Sequence, residues 1–158
     1  MRPVILERGR PTSRKPPFKF SAFTRVDFSD TDAQGIVYYG RYLPYFDLAR
    51  VEYLRALGLL ARQVGDPEFV MRASSVEYFA PARFDDPIEI FTRHSRLGRT
   101  SATWEFAAYD GDDVLMVTAQ QVLVLVDLAK RRPTPVPTSY REPVLTFEGA
   151  DCAAAAAL

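Results

Sequence analysis

The segment of residues 27–40 gathers the side chains of this sequence that are best suited to chemistry. Two carboxylates, Asp30 and Asp32, lie two residues apart and precede Gly35 and an aromatic run that opens a predicted helix. The first turn of a helix presents unpaired N–H groups and the positive end of its dipole, which polarise a carbonyl oxygen or stabilise an oxyanion. A carboxylate just upstream can attack that carbonyl or activate a water beside it. Either acid can also cap the helix or form an Asx turn, so the residues alone leave both interpretations open.

The composition limits which other chemistries are available. The chain has 158 residues with one histidine, His94, and one cysteine, Cys152. These counts exclude an intramolecular disulfide, a Cys-rich zinc site and any site that needs two histidines. The 20 basic and 20 acidic side chains leave a formal net charge of zero, which argues against binding nucleic acid or a membrane surface through bulk electrostatics. Any catalysis is therefore expected to rest on carboxylates, hydroxyls and backbone dipoles, with no metal.

The chain is expected to be cytoplasmic. Its first twenty residues hold six basic side chains, one acidic side chain and four prolines, with no apolar run that would form a secretory signal. No uncharged apolar stretch is long enough to span a bilayer. A lone thiol stays reduced in the cytoplasm.

Composition also divides the chain into three parts. Residues 1–17 are predicted to be a basic, proline-containing arm without order, because proline interrupts both helices and central strands. Residues 18–130 are predicted to be the organised domain. Residues 131–158 are predicted to be a proline-rich and then alanine-rich tail.

Inside the predicted domain, the period of the apolar pattern changes from that of a strand to that of a helix and back. A strand is predicted over 18–27 and a helix over 39–57, ended by Gly58. Four further strands are predicted over 69–80, 88–96, 100–109 and 114–128. This order indicates an α+β fold in which one helix covers an antiparallel meander. Because the last strand is apolar on both faces, we expect a second copy of the chain to cover the face that the helix leaves free.

Three segments carry a family resemblance. Residues 30–38 (Asp-Thr-Asp-Ala-Gln-Gly-Ile-Val-Tyr) resemble the active-site signature of hotdog-fold acyl-CoA thioesterases of the 4-hydroxybenzoyl-CoA thioesterase type, including the relatives encoded with the Tol-Pal system. Residues 42–55, with the pattern Tyr-x-x-x-Phe-Asp-x-Ala-Arg, resemble the central helix of that family, and residues 76–86 resemble its next strand and turn. The resemblance implies a hotdog fold, in which an antiparallel sheet of about five strands wraps around one long central helix. It also implies hydrolysis of an acyl-CoA thioester to the free acid and CoA.

The resemblance assigns roles to particular residues. Asp32 becomes the catalytic carboxylate, as nucleophile or general base, and Gly35 forms the bend that lets the loop approach the substrate. Tyr39 falls where the family places the helix-start amide that polarises the thioester carbonyl. The residues implied in substrate or CoA binding are Ile36, Val37, Tyr38, Arg96, Arg99, Thr100 and Ser101, and the arginines among them suit the phosphates of CoA. No cofactor is expected, because the CoA thioester is itself the substrate.

The expected partners are a small-molecule acyl-CoA and further copies of the chain, as a homodimer that assembles to a homotetramer. No nucleic acid and no membrane span are expected. Two alternatives remain open, namely an acyl-carrier-protein thioesterase on the same fold and a non-catalytic acyl-CoA-binding hotdog protein. A hotdog dehydratase is disfavoured, because those enzymes generally rely on a catalytic histidine and His94 lies inside a predicted strand.

Overall fold

The computed structural model describes residues 6–155, which form one sheet curved around a long helix. The strands are β1 (Gly9–Pro11), β2 (Phe20–Arg25), β3 (Glu68–Tyr78), β4 (Pro87–Leu97), β5 (Ser101–Asp110), β6 (Leu115–Asp127), β7 (Arg132–Pro133) and β8 (Ala153–Ala154), and the helices are α1 (Tyr42–Ala56) and α2 (Thr138–Glu148). The predicted α+β class and the long central helix are confirmed. The described residues contain eight strands rather than about five, because three of them are only two or three residues long.

Helix α1 forms where the helical spacing predicted it. Its buried face consists of Tyr42, Tyr45, Phe46, Ala49 and Tyr53, whereas Leu43 is exposed. The helix ends in a Schellman arrangement, in which the N–H of Leu59 donates to the Leu54 carbonyl and Gly58 adopts a φ of 70°. Pro44 lies in the first turn, where proline costs no intrahelical hydrogen bond.

The strand order differs from a simple meander of the last four long strands. Strands β4, β5 and β6 are consecutive antiparallel neighbours, but β2 pairs with the free side of β4 and β3 pairs with β6. Strand β3 therefore forms one edge of the sheet. Most of its residues are exposed, including Val70 and Met71. The strand that lacks cover is thus β3, and not the last long strand as the sequence suggested.

The core lies between α1 and the concave face of the sheet. On β5, the alternate residues Ala102, Trp104, Phe106 and Ala108 are buried. The Phe46 ring of α1 packs on Phe106 with the ring centroids 4.8 Å apart. Burying one such aromatic side chain contributes about 1.5–3 kcal/mol, so this layer holds the helix against the sheet.

The C-terminal region contains a helix that the sequence analysis did not predict. Helix α2 begins directly after Pro137 and contains Pro143, and its proline-rich surroundings concealed its apolar spacing. Its Arg141 guanidinium donates to the Gly98 carbonyl at 2.7 Å, and its Glu148 is fully buried. Helix α2 therefore closes the end of the sheet beyond β4. Residues 156–158 of the predicted tail lie outside the described residues.

The N-terminal arm lies against the sheet. Strand β1 pairs with β2, Arg14 forms an ion pair with Glu89, and the Lys15 ammonium lies 4.1 Å from the centroid of the Tyr109 ring. The basic side chains of this segment thus contact acidic and aromatic groups of the body. Residues 1–5 of the predicted arm lie outside the described residues, and the predicted domain boundaries at 17/18 and 130/131 remain predictions.

Candidate active site

The loop between β2 and α1 is held by its own backbone. The N–H of Asp32 donates to the Ile36 carbonyl and the N–H of Gly35 donates to the Asp32 carbonyl, each at 3.0 Å. Gly35 has a φ of 75°, a conformation that costs a residue with a Cβ about 1–2 kcal/mol. The N–H of Val37 donates to the Ala82 carbonyl at 2.9 Å, which ties the loop to the turn after β3. The predicted role of Gly35 as the bend therefore has a conformational basis.

The two acids of the loop have different surroundings. One carboxylate oxygen of Asp30, Oδ2, accepts the Tyr45 hydroxyl at 2.6 Å and the N–H of Asp27 at 3.0 Å. Only 13% of the Asp30 side chain is exposed, and the Arg41 guanidinium lies 3.9 Å from its other oxygen. Asp30 therefore fastens the loop to α1. The helix-anchoring role that the residues alone allowed for either acid belongs to Asp30.

Asp32 retains a free carboxylate oxygen. Its Oδ1 accepts the N–H of Gln34 at 2.8 Å, which is an Asx turn and orients the side chain. Within residues 6–155 no group donates a hydrogen bond to its Oδ2, and the residue is half-buried. A carboxylate that is oriented by one oxygen and open at the other suits attack on a carbonyl carbon or deprotonation of a water.

The helix start next to this loop supplies backbone N–H groups. A single 3₁₀ turn, Tyr39–Arg41, runs directly into α1, so Tyr39 is the first helical residue. The N–H of Arg41 donates to the Tyr38 carbonyl at 2.8 Å, which closes this turn. The Tyr38 and Tyr39 rings lie 4.3 Å apart, and both side chains are exposed. The N–H of Tyr38 donates to the Asp30 carbonyl at 2.9 Å, which holds the helix start beside the loop. The neighbouring Tyr39 hydroxyl raises the pKa of Tyr38, and the Asp32 carboxylate adds to that shift. Asp32 and the Tyr38–Tyr39 pair therefore belong to one site.

The remaining predicted substrate residues are divided between two places. Ile36 is half-buried in the loop, and Val37 is 4% exposed and packs in the core. Arg96, Arg99, Thr100 and Ser101 surround the turn between β4 and β5. The loop lies at the Pro87 end of β4 and this turn lies beyond its Leu97 end, so the eleven residues of β4 separate them by about 33 Å. Within one chain the four residues therefore do not meet Asp32.

The match with known proteins covers both of these places. The model of the thioesterase-like superfamily matches residues 26–144 of the chain, from the Asp32 loop to the middle of α2. The chain belongs to the thioesterase-like superfamily. The predicted family, the hotdog fold and the class of thioester hydrolase are thereby confirmed. The matched region also extends past residue 130, into the helix that the sequence analysis did not predict.

Individual relatives agree with the family assignment of this thioesterase. It is 37% identical over 120 residues to the acyl-CoA thioester hydrolase YbgC of Escherichia coli O6:H1, an alignment that covers 73% of the chain and 87% of the relative. It is 35% identical over 126 residues to the acyl-CoA thioesterase YbgC of Haemophilus influenzae, covering 77% and 91% of the two chains. The crystal structure of a thioesterase superfamily protein from Jannaschia sp. CCS1 superposes with a TM-score of 0.78 at 27% identity, covering 85% of this chain and 86% of the other.

One residue of the candidate site, Tyr78 at the end of β3, was not predicted from the sequence. Its side chain is 49% exposed. Its hydroxyl donates to the Tyr39 carbonyl at 2.9 Å, and its ring packs on Tyr42 with the centroids 5.7 Å apart. Only the return of β3 along the far edge of the sheet brings this side chain to the helix start, so no local signal could have revealed it.

A second concavity lies toward the other end of α1. A cavity of about 660 Å³ opens between the C-terminal half of α1, the start of β3 and α2. Its walls are mainly apolar and include Val51, Leu54, Phe69, Leu123 and Leu125. In this thioesterase the cavity therefore lies at the same end of the sheet as the turn with Arg99.

Beside this cavity is a buried polar cluster away from the site. His94 is fully buried, its Nε2 lies 2.9 Å from the Tyr140 hydroxyl, and its backbone N–H donates to Glu148. Burial, helped by the Arg50 guanidinium, lowers the pKa of His94 to about 3. Burial raises the pKa of Glu148, although the Tyr53 hydroxyl donates to its carboxylate at 2.7 Å. His94 is therefore a neutral packing residue. Within residues 6–155 no group of His, Cys, Asp and Glu side chains is arranged to hold a metal ion.

Proposed function

We propose that this thioesterase hydrolyses an acyl-CoA thioester to the free acid and CoA, with Asp32 as nucleophile or general base. The helix start at Tyr39 polarises the thioester carbonyl, and Gly35 shapes the loop. One observation carries the proposal. The Asx turn at Oδ1 orients the Asp32 carboxylate and leaves Oδ2 free, beside a helix start whose first N–H groups have no protein acceptor among the described residues. The acyl-CoA substrate is supported by the names of the relatives from Escherichia coli and Haemophilus influenzae.

The chemistry requires nothing beyond these groups and water. As a general base, Asp32 takes a proton from water while the water oxygen attacks the thioester carbon, and the C–S bond then breaks to release the CoA thiolate, which takes the proton from Asp32 and restores the carboxylate. As a nucleophile, its oxygen forms a mixed anhydride as the thiolate leaves, and water then cleaves the anhydride. In both routes the oxyanion lies at the positive end of the helix dipole. The reaction as proposed therefore uses no metal and no cofactor.

We further propose that the working unit is at least a homodimer built along β3, as a step toward the expected homotetramer. Among the strands of residues 6–155, none pairs with the outer edge of β3, so the backbone groups of that edge lack strand partners there, and the exposed Val70 and Met71 favour cover by another chain. A two-fold axis at the middle of β3 would pair it antiparallel with its copy, so that the Tyr78 end of one strand meets the Phe69 end of the other. That arrangement brings the partner's β4–β5 turn toward the Asp32 loop.

The proposed dimer would bring the Asp32 loop of one chain close to the β4–β5 turn of the other. In one chain, the N–H of Leu125 donates to the Thr100 carbonyl, and Leu125 pairs with Phe69, so the turn of Arg96, Arg99, Thr100 and Ser101 lies at the Phe69 end of β3. We therefore propose that these residues bind the CoA phosphates of the substrate held by the other chain. The apolar cavity at the same end of the sheet suits an acyl group there.

Thiol release from a panel of acyl-CoAs, compared with the same acyl groups on acyl carrier protein, tests the proposal. Turnover of acyl-CoA supports it, turnover restricted to the carrier protein favours the first alternative, and tight binding without product favours a non-catalytic binder. Arg99→Gln should raise KM for acyl-CoA. When it is mixed with the inactive Asp32→Asn variant, a mixed dimer contains one site with Asp32 from the Arg99→Gln chain and Arg99 from the Asp32→Asn chain, and this site should have the KM of the wild type. If mixing leaves KM at the Arg99→Gln value, the shared site is wrong.

The compartment and the role of Asp32 are tested separately. A cytoplasmic location is proposed from the sequence, and cell fractionation checks it.

Single turnover in ¹⁸O-water distinguishes the two routes by mass spectrometry. A general base places the label only in the product acid, whereas cleavage of the mixed anhydride at the Asp32 carbonyl labels the peptide that contains Asp32.

A further inference from the structure

The peptide that joins Tyr39 to Gly40 accepts a hydrogen bond from the Tyr78 side chain of the edge strand β3. We propose that the Tyr78 hydroxyl positions the Gly40 N–H, which donates a second hydrogen bond to the oxyanion beside the Tyr39 N–H. This inference rests on the proposed thioesterase reaction and names the group that orients its oxyanion donors. Tyr78 is thus a positioning residue, since it acts through Gly40 and does not touch the reacting atoms.

The geometry follows from two successive peptide planes. In a trans peptide, the carbonyl of one residue and the N–H of the next lie in one plane and point in opposite directions. The Tyr38 carbonyl accepts the N–H of Arg41 at 2.8 Å, which fixes the plane that contains the Tyr39 N–H. The Tyr39 carbonyl accepts the Tyr78 hydroxyl at 2.9 Å, which fixes the plane that contains the Gly40 N–H. Each donor is thus held from the opposite side of its peptide.

Both donors remain available to a substrate. Over the described range 6–155, no backbone or side-chain group accepts a hydrogen bond from the N–H of Tyr39 or of Gly40. Two converging N–H groups are a common arrangement for binding the oxyanion of acyl transfer. A hydrogen bond accepted by a peptide carbonyl also polarises the N–H of the same peptide, so the Tyr78 hydroxyl strengthens the Gly40 donor as well as orienting it.

The residue at position 40 fits this role. A Cβ on Gly40 would lie 2.9 Å from Cε1 of the Tyr38 ring, so a side chain would displace the ring that borders the donors. Tyr78 is itself held by the edge-to-face contact of its ring with Tyr42. Its hydroxyl therefore reaches the Tyr39 carbonyl from a fixed direction.

Tyr78→Phe removes only the hydroxyl, and a side chain that is half-exposed tolerates this change. Loss of a whole oxyanion donor costs about 10²–10³ in kcat, so loss of its orientation should cost less, roughly tenfold, with KM changed by less than about twofold. The matched control is Tyr109→Phe, which removes a hydroxyl from a half-buried ring on β5, outside both the Asp32 loop and the lining of the cavity. Its kcat and KM should equal those of the wild type, and melting temperatures verify that both variants fold.

A spectroscopic measurement distinguishes orientation of the donors from general loosening. The probe is an acyl-CoA analogue in which a methylene replaces the thioester sulfur, so that a ¹³C-labelled ketone occupies the carbonyl position. Infrared difference spectra should show the ketone stretch lowered on binding to the wild type and to Tyr109→Phe, and shifted back toward its value in water in Tyr78→Phe. An unchanged stretch and kcat in Tyr78→Phe would overturn the inference. If the wild type hydrolyses no acyl-CoA while the stretch still depends on Tyr78, the proposed function fails and the positioning role stands.

Discussion

The hydrogen bond between Tyr45 and Asp30 should contribute strongly to stability, and a double-mutant cycle measures it. The Tyr45 side chain is 6% exposed, and its hydroxyl donates to the Asp30 carboxylate at 2.6 Å. Burial raises the pKa of Tyr45, and the Asp30 bond raises it further, so the hydroxyl keeps its proton. A hydrogen bond to a charged acceptor is worth about 1.5–3 kcal/mol. Tyr45→Phe should lower the free energy of unfolding by about 2 kcal/mol, and Asp30→Ala should lower it by at least as much, because it also leaves the N–H of Asp27 without its acceptor.

The cycle is measured by urea unfolding at one protein concentration, with the fluorescence of the buried Trp104 as the signal. Because both substitutions remove the same bond, the double variant should be about 1.5 kcal/mol more stable than the sum of the single effects predicts. Tyr109→Phe, which removes a hydroxyl from a half-buried ring on β5, is the control and should cost under about 0.5 kcal/mol. Additivity within about 0.5 kcal/mol would refute the anchoring role of Asp30.

Three further substitutions test the packing of the loop and the buried cluster. His94→Gln should remove a pH dependence of the free energy of unfolding. The pKa of His94 falls from 6.5 to about 3 on folding, so between these pH values the unfolded chain binds more protons than the folded chain. Urea titrations at pH 7 and pH 5 should therefore show that the wild type loses about 2 kcal/mol more of its free energy of unfolding than the variant does. Gly35→Ala should cost about 1 kcal/mol and lower turnover. Gly65→Ala, at an exposed position with a φ of 92°, should cost about as much and leave turnover intact, and equal turnover in both variants would contradict the role of the bend. Arg141→Met should lower stability by about 2 kcal/mol in thermal melts, and an unchanged melting temperature would show that α2 is held by other contacts.

The local elements of the fold could be predicted from the sequence, because their signals are local. The spacing of Phe46, Ala49 and Tyr53 predicted α1, Gly58 marked its end, and the alternation from Ala102 to Ala108 predicted β5. The long-range pairing could not be predicted in this way. Nothing in the apolar pattern indicates that β3 returns to the outer edge of β6, and this pairing decides where Tyr78 lies.

The candidate site was predicted in outline by its motif. The types of Asp30 and Asp32 do not distinguish them, and the family resemblance alone assigned the chemistry to Asp32. The positions of Tyr45 and Gln34 add the physical difference between an anchoring carboxylate and one with a free oxygen. The role proposed for the turn with Arg99 also requires a second chain, which a single sequence does not describe. Helix α2 escaped prediction because proline is a local signal against helix, whereas the buried contacts of Arg141 and Glu148 that stabilise it are tertiary.

The most direct test of the central claim is the rate of thiol release by Asp32→Asn at saturating acyl-CoA. An asparagine still accepts the N–H of Gln34, so the loop should keep its shape and the melting temperature should stay near that of the wild type. A carboxylate that acts as base or nucleophile contributes at least about 10²–10⁴ to the rate, and the variant should lose turnover by that factor. Turnover equal to that of the wild type in a folded Asp32→Asn variant would contradict the assignment of the chemistry to Asp32.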